Sequence, residues 1–186
     1  MDRISLCFGY IYDMKRIKRY LFAPLLCLSL VSFAQDSCEI LQKMNPDGSK
    51  YYFIGATRFF WTTEKQLKGG VITDEENYFL SLMPWPFPAK PAGSKIKGDL
   101  NLTLANGQSY ILEHYDSRYM EADTVLMITY LIGKKQLDDF LKFDIEQASV
   151  IMEKGTEPRI YNFRLHKSAV REQLACFIDQ RKRKKI

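Results

Sequence analysis

The sequence predicts an α+β protein with about eight strands, in a mostly antiparallel twisted sheet or β-sandwich, and two helices in the C-terminal half. Short apolar and aromatic runs separated by turn residues fill the chain from Glu39 to Leu131, which is typical of strands joined by short connections. Helical periodicity appears only twice, near the end. The 186 residues are 46% hydrophobic and 26% charged, a globular rather than a disordered composition.

Residues 14–34 have the order of a secretory signal peptide. Basic residues at 15, 16, 18 and 19 precede an apolar run at 21–31, and small residues at 32 and 34 precede Gln35. This run is too short for a membrane span, which needs about 20 residues. We therefore expect cleavage after Ala34, export to the periplasm or the exterior, and no transmembrane anchor afterwards. A buried helix or a short membrane anchor is the alternative.

The signal is complete from Met14, so residues 1–13 are interpreted as an upstream extension. The expected organisation is then residues 1–34 as extension and signal, a single domain at 35–180, and a basic tail at 181–186. The net charge of +5 comes from the signal and the tail, because residues 35–180 alone carry 17 basic and 20 acidic side chains. A nucleic-acid surface needs clustered positive charge across the body, so no nucleic-acid partner is predicted.

Two of the four cysteines, Cys38 and Cys176, remain after the predicted cleavage. An even pair in an oxidising compartment predicts a disulfide, with two separate reduced thiols as the alternative. The pair lacks the C-x-x-C spacing of zinc and redox sites. No metal and no cofactor is predicted.

Strands are predicted in the first half of the exported chain at 39–43, 51–61 and 77–83. Asn45–Gly48 is a turn, because proline fixes φ and glycine supplies positive φ. Gly55 marks a possible bulge. Residues 62–76 are polar and contain Gly69 and Gly70, which predicts an irregular excursion.

Residues 84–98 hold four of the seven prolines, so neither a helix nor a ladder strand is expected there. Strands follow at 99–104, 110–115 and 124–131, with Asn106-Gly107 as the hairpin turn between the first two. Apolar spacing predicts helices at 134–143 and 167–179, and a hairpin at 148–152 and 160–165 lies between them.

The segment from Gln136 to Phe177 reads QLDDFLKFDIEQASVIM and then RIYNFRLHKSAVREQLACF. It resembles the C-terminal part of small exported bacterial proteins of uncharacterised function, which carry a signal peptide, a β-rich body and a late strand-hairpin-helix ending in cysteine. The resemblance implies export and an α+β fold, and no particular activity.

Catalytic candidates are few. His114 and Asp116 stand two apart on a presumed strand, where both side chains can share one face and act as base and orienter. No nucleophile stands in a recognisable motif, so a polar pair at a strand end is the preferred interpretation. The acidic runs at 74–76 and 138–139 lack the ligand spacing of a calcium loop and are interpreted as solvated.

The Pro84–Pro88 loop is the strongest binding candidate, because it holds Trp85 and Phe87 on a stiff backbone. The alternative is that both rings turn inward and plug the sheet. We expect a non-enzymatic protein of a bacterial envelope or exterior that binds another exported protein, as an inhibitor or accessory. A small hydrolase using His114 and Asp116, and a glycan-binding module using Trp61 or Trp85, are the alternatives.

Export with cleavage between Ala34 and Gln35 is directly testable. Mass spectrometry of the exported product should give a chain that starts at Gln35, because basic, apolar and small residues occur in the order that signal peptidase requires. Intact protein starting at Met14 in the cytoplasm would refute the prediction.

Overall fold

The computed structural model describes residues 38–45, 47–86, 98–120, 125–151 and 157–184. In this part of the chain eleven strands form two antiparallel sheets, accompanied by two helices. The strands are β1 (Leu41–Met44), β2 (Lys50–Phe53), β3 (Thr57–Trp61), β4 (Gln66–Thr73), β5 (Tyr78–Trp85), β6 (Leu100–Leu104), β7 (Ser109–Leu112), β8 (His114–Met120), β9 (Val125–Ile132), β10 (Ile145–Val150) and β11 (Arg159–Asn162). The helices are α1 (Lys134–Phe140) and α2 (Ala169–Lys184).

The larger sheet has seven strands in the order β1-β2-β4-β5-β9-β8, and β3 also pairs with β4. The smaller sheet has four strands in the order β11-β10-β6-β7. The α+β prediction with a mostly antiparallel sheet is confirmed. The structure has eleven strands where the sequence predicts about eight, because two of the predicted strands are each divided in two and β4 is an additional strand.

The core combines the inward faces of the sheets with one face of each helix. In β6, Leu100, Leu102 and Leu104 are buried and the residues between them are not, the period of two expected of a half-buried strand. The helices add Phe140 from α1 and Leu174 from α2 to the same cluster. Burial of these apolar side chains is the main stabilising term, at about 25 cal/mol per Å² of apolar surface.

Two corners connect the sheets. At one, Glu113 separates β7 in the small sheet from β8 in the large one, and its carbonyl accepts a hydrogen bond from Leu131 N–H at 3.0 Å. At the other, the Phe59 carbonyl of β3 accepts hydrogen bonds from Arg164 and Leu165, just after β11. The strand predicted at 110–115 is therefore two strands, divided at the first corner.

The single strand expected at 51–61 is divided at residues 54–56 into β2 and β3. Both segments lie on the same side of β4, where β2 pairs with its last two residues and β3 with residues 66–69. This arrangement leaves a gap beside the middle of β4. Gly55 lies at the break rather than in a bulge.

The side chain of Gln173 in α2 fills that gap. Its Oε1 accepts a hydrogen bond from Val71 N–H at 2.7 Å, and its Nε2 lies 3.4 Å from the Gly55 carbonyl and 3.3 Å from Thr57 Oγ1. Gln173 is only 6% exposed. A side-chain amide thus satisfies a buried strand N–H that none of the described strands reaches.

The prediction of an irregular excursion at 62–76 is wrong, because β4 occupies residues 66–73 and pairs along its whole length with β5. Gly69 and Gly70 serve close packing here, not a turn. A Cβ at Gly69 would collide with the Ser81 carbonyl and the Phe59 ring, and one at Gly70 would meet Gln173 Oε1. Glycine is therefore required at position 69, where the obstacle is backbone, and at position 70 a larger residue would have to move the Gln173 amide.

The expectation that residues 84–98 lack a ladder strand is wrong for its first two residues. Pro84 lies opposite Leu67, and Trp85 ends β5 opposite Gln66. The pairing of β5 with β9 stops at Leu82, so among the described strands Pro84 has a neighbour on one side only, a position that tolerates proline. Phe87 lies outside the described residues.

The cysteine prediction is confirmed, since Cys38 and Cys176 form a disulfide with their Cα atoms 5.8 Å apart. It ties the residues before β1 to α2 across 138 positions of sequence. Helix α2 continues past Asp179, where the expected helix ends, to Lys184. Within the described residues neither helix has both the length and the apolar character needed to cross a membrane.

Replacing Gln173 by Ala should lower the free energy of unfolding by about 1–3 kcal/mol, because it leaves the buried Val71 N–H without an acceptor. Gln180→Ala on the same helix is the control and should change stability by less than about 0.5 kcal/mol. Urea unfolding measures both. Equal stability of the two variants would show that Gln173 does not complete the sheet.

Candidate functional site

Trp61, Gln66 and Trp85 lie side by side on neighbouring strands and are called here the tryptophan row. Trp61 is opposite Gln66 in the β3–β4 pairing, and Gln66 is opposite Trp85 in the β4–β5 pairing. Directly opposed residues project from the same face of a sheet. With strands 4.7–4.9 Å apart, the two tryptophans are separated by about 10 Å at the backbone.

Both tryptophan side chains reach solvent, at 56% exposure for Trp61 and 44% for Trp85. In β3 and β4, the side chain next to the row in sequence points into the core. Phe60 and Leu67 are buried in the core cluster, and alternation along the strand turns Trp61 and Gln66 to the other face. Of the three predicted binding residues, the structure thus brings Trp61 and Trp85 together at one surface.

Positive charge adjoins the row. Arg58 of β3 lies opposite Lys68 of β4, and Lys68 is two residues after Gln66, on the same face of the sheet as the row. Both side chains are exposed. The Arg58 guanidinium lies 5.8 Å from the centre of the Trp61 ring, within the range of a cation–π contact. Strands β3, β4 and β5 with the β3–β4 turn carry three basic residues and one acidic residue, Glu64.

Contacts from β11 hold the row in place. The Arg159 guanidinium donates a hydrogen bond to the carbonyl of Pro86, directly after Trp85. Lys65, directly before Gln66, donates to the Ile160 carbonyl at 2.9 Å. The Lys65 ammonium also lies 5.4 Å from the Phe60 ring centre. The ends of β4 and β5 are therefore fixed to the edge of the smaller sheet.

His114 and Asp116 do not share a face as expected. A β-bulge falls between them, so His114 pairs with Tyr130 and Asp116 with Thr129, two adjacent residues of β9 that project to opposite faces. The His114 ring packs edge-on against Tyr130 at 6.2 Å. Burial raises the pKa of the Tyr130 phenol, and the charge of Asp99 adds to the effect. The register therefore places His114 and Asp116 on opposite faces of the larger sheet.

The acidic runs have local partners. Asp74 Oδ1 accepts hydrogen bonds from the N–H groups of Glu76 at 3.0 Å and Asn77 at 2.7 Å, which closes the β4–β5 turn. Asp139 accepts a hydrogen bond from the Tyr110 hydroxyl, and this bond raises the pKa of Tyr110. Among the described residues no cluster of three His, Cys, Asp or Glu side chains could hold a metal ion.

Sequence reasoning missed a cavity of about 290 Å³ between the far end of the larger sheet and helix α2, called here the α2 cavity. Its lining includes Tyr52, Thr73 and Tyr78 from three adjacent strands, and Phe177 and Arg181 from the helix. These residues come from three separate stretches of the sequence, at 52, 73–78 and 177–181. Their assembly depends on β4, which the sequence did not reveal as a strand.

Comparisons with protein-family models, with curated proteins and with solved structures find no match for this chain.

The exposure of the row leads to a stability prediction. Trp61→Ala and Trp85→Ala should each lower the free energy of unfolding by less than about 1 kcal/mol, because both rings already face solvent. Phe59→Ala, in the core of the same strands, should cost about 3–5 kcal/mol and serves as the comparison. Chemical denaturation measures all three. A loss at Trp85 as large as that at Phe59 would mean that this ring plugs the sheet.

Proposed function

We propose that this protein is a non-enzymatic exported binding protein of a bacterial envelope or exterior, and that the tryptophan row binds another exported protein. The observation that carries the proposal is the alignment of two exposed tryptophans across β3, β4 and β5. Isolated exposed apolar residues are common, but two large aromatic rings in register form a distinct patch.

The residue types suit a protein partner. Tryptophan and arginine are the residues most enriched at interaction hot spots, and Trp61, Trp85 and Arg58 supply both. Because the surface belongs to paired strands and is fixed by Arg159 and Lys65, little conformational entropy is lost on binding.

The charge suggests the character of the partner. Residues 35–180 carry a net negative charge, yet Arg58 and Lys68 give the face beside the row a positive one. Complementary charge guides association and excludes wrong partners. The partner we propose is an exported protein with acidic residues around an apolar recess that accepts the tryptophan rings.

The disulfide supports export. A bond between Cys38 and Cys176 persists in an oxidising compartment, which agrees with the signal peptide predicted from the sequence. The periplasm and the exterior both provide such conditions.

Glycan binding is the second candidate, favoured by one observation. Two exposed indole rings about 10 Å apart on a sheet could each stack on a sugar ring of an extended chain. Hydrolysis by His114 and Asp116 receives no such support, because the bulge directs their side chains to opposite faces.

The test is capture of partners from the native envelope, followed by titration of the purified partner. Trp85→Ala should weaken the complex by about 2 kcal/mol, roughly 30-fold in Kd. Arg58→Gln together with Lys68→Gln should slow association and reduce its dependence on salt.

Tyr115→Ala is the control, since Tyr115 is another exposed aromatic ring of the same sheet and lies outside the row. It should leave the affinity unchanged. Equal binding by wild type, Trp61→Ala and Trp85→Ala would contradict the proposal. If the protein is retained by envelope polysaccharide alone, and the tryptophan variants are not, the row binds a glycan and not a protein.

A further inference from the structure

The floor of the α2 cavity is a row of side chains on the larger sheet. Tyr52 of β2 lies opposite Thr73 of β4, and Thr73 lies opposite Tyr78 of β5, so all three project to one face. Thr73 Oγ1 donates to the Asn77 carbonyl at 2.8 Å and accepts from Glu75 N–H at 3.1 Å. The floor is thus fixed by strand pairing and by the turn that follows β4.

The wall is apolar and held by the disulfide. Phe177 of α2 packs against Tyr78 with ring centres 6.5 Å apart, and it directly follows Cys176. Ile40 also lines the cavity and stands two residues after Cys38. The Cys38–Cys176 bond therefore ties the chain segments that carry these two apolar side chains.

Two opposite charges line the solvent side. Glu75 and Arg181 both border the cavity and both are exposed. Glu75 adopts a positive φ of 80°, and its carboxylate raises the pKa of the Tyr52 phenol, which places the acidic group beside the edge of the floor. Among the described residues Arg181 has no carboxylate within salt-bridge distance, Glu75 included.

We propose that the α2 cavity binds a free amino acid with a large apolar side chain. Its ammonium group would pair with Glu75, its carboxylate with Arg181, and its side chain would pack against Tyr78, Phe177 and Ile40. A cavity of about 290 Å³, mostly apolar with a few fixed polar groups, has the character of a small-molecule site.

The two charges decide between ligand classes. A carboxylate without an amine would meet the negative charge of Glu75, and an amine without a carboxylate would meet the positive charge of Arg181. A zwitterion satisfies both groups, and charge-assisted hydrogen bonds to each are the strong kind. Because the floor and wall are already in position, the ligand orders little of the protein when it binds.

The experiment titrates protein produced from the full 186-residue sequence with three probes by calorimetry. They are L-phenylalanine, 3-phenylpropanoate, which lacks the amine, and 2-phenylethylamine, which lacks the carboxylate. L-phenylalanine should bind, and each analogue should bind at least about tenfold more weakly.

Charge-neutralising variants test which side chain binds the carboxylate of the ligand and which binds its ammonium group. Arg181→Gln should weaken L-phenylalanine about tenfold without weakening 2-phenylethylamine, and Glu75→Gln should weaken L-phenylalanine similarly without weakening 3-phenylpropanoate. Arg183→Gln on the same helix and Glu76→Gln in the same turn are the controls and should bind like wild type. Circular dichroism shows whether each variant is folded.

The proposal is overturned if 3-phenylpropanoate binds as tightly as L-phenylalanine, if the two variants bind all probes like wild type, or if none of the three probes binds the folded protein. Trp61→Ala and Trp85→Ala should leave L-phenylalanine binding intact. Failure of the partner-binding surface and failure of this site are therefore separate outcomes.

Discussion

Strand β4 is bordered on one side by two strands that do not meet, and the hydrogen bonds of Gln173 close the space between them. Without that amide, a buried N–H in the middle of the larger sheet would have no acceptor, a cost of about 1–3 kcal/mol. The same contact favours glycine at position 70, because a Cβ there would lie 2.9 Å from Gln173 Oε1 and the amide would have to shift. It also sets the position of α2 against the sheet.

Both candidate sites depend on this strand. One end of β4 places Gln66 between Trp61 and Trp85, and the other end places Thr73 between the two tyrosines of the cavity floor. Helix α2, anchored by Gln173 in the middle and by the disulfide at Cys176, then supplies the cavity wall. Pairing of one strand with three neighbours thus creates an exposed aromatic surface and a partly open cavity on opposite faces, at opposite ends.

The sequence predicts what local pattern determines. The α+β class, both helices, the 106–107 hairpin and the cysteine pair follow from periodicity, turn residues and compartment. It misses β4, because Gly69 and Gly70 resemble loop residues until the close approach of Ser81 and Gln173 is known. Trp61 and Trp85 are conspicuous in the sequence, but their alignment requires β4 between them. The one-residue bulge near His114 likewise cannot be predicted from the alternation of side chains along a strand.

The most direct measurement of this account is hydrogen exchange at the Val71 amide. If Gln173 completes the sheet, Val71 N–H should be protected as strongly as the amides of Leu80 and Leu82, which lie in a strand paired on both sides. That protection should fall in Gln173→Ala while the two β5 amides stay protected. Exchange of Val71 in the wild-type protein at the rate of an exposed amide would contradict the account.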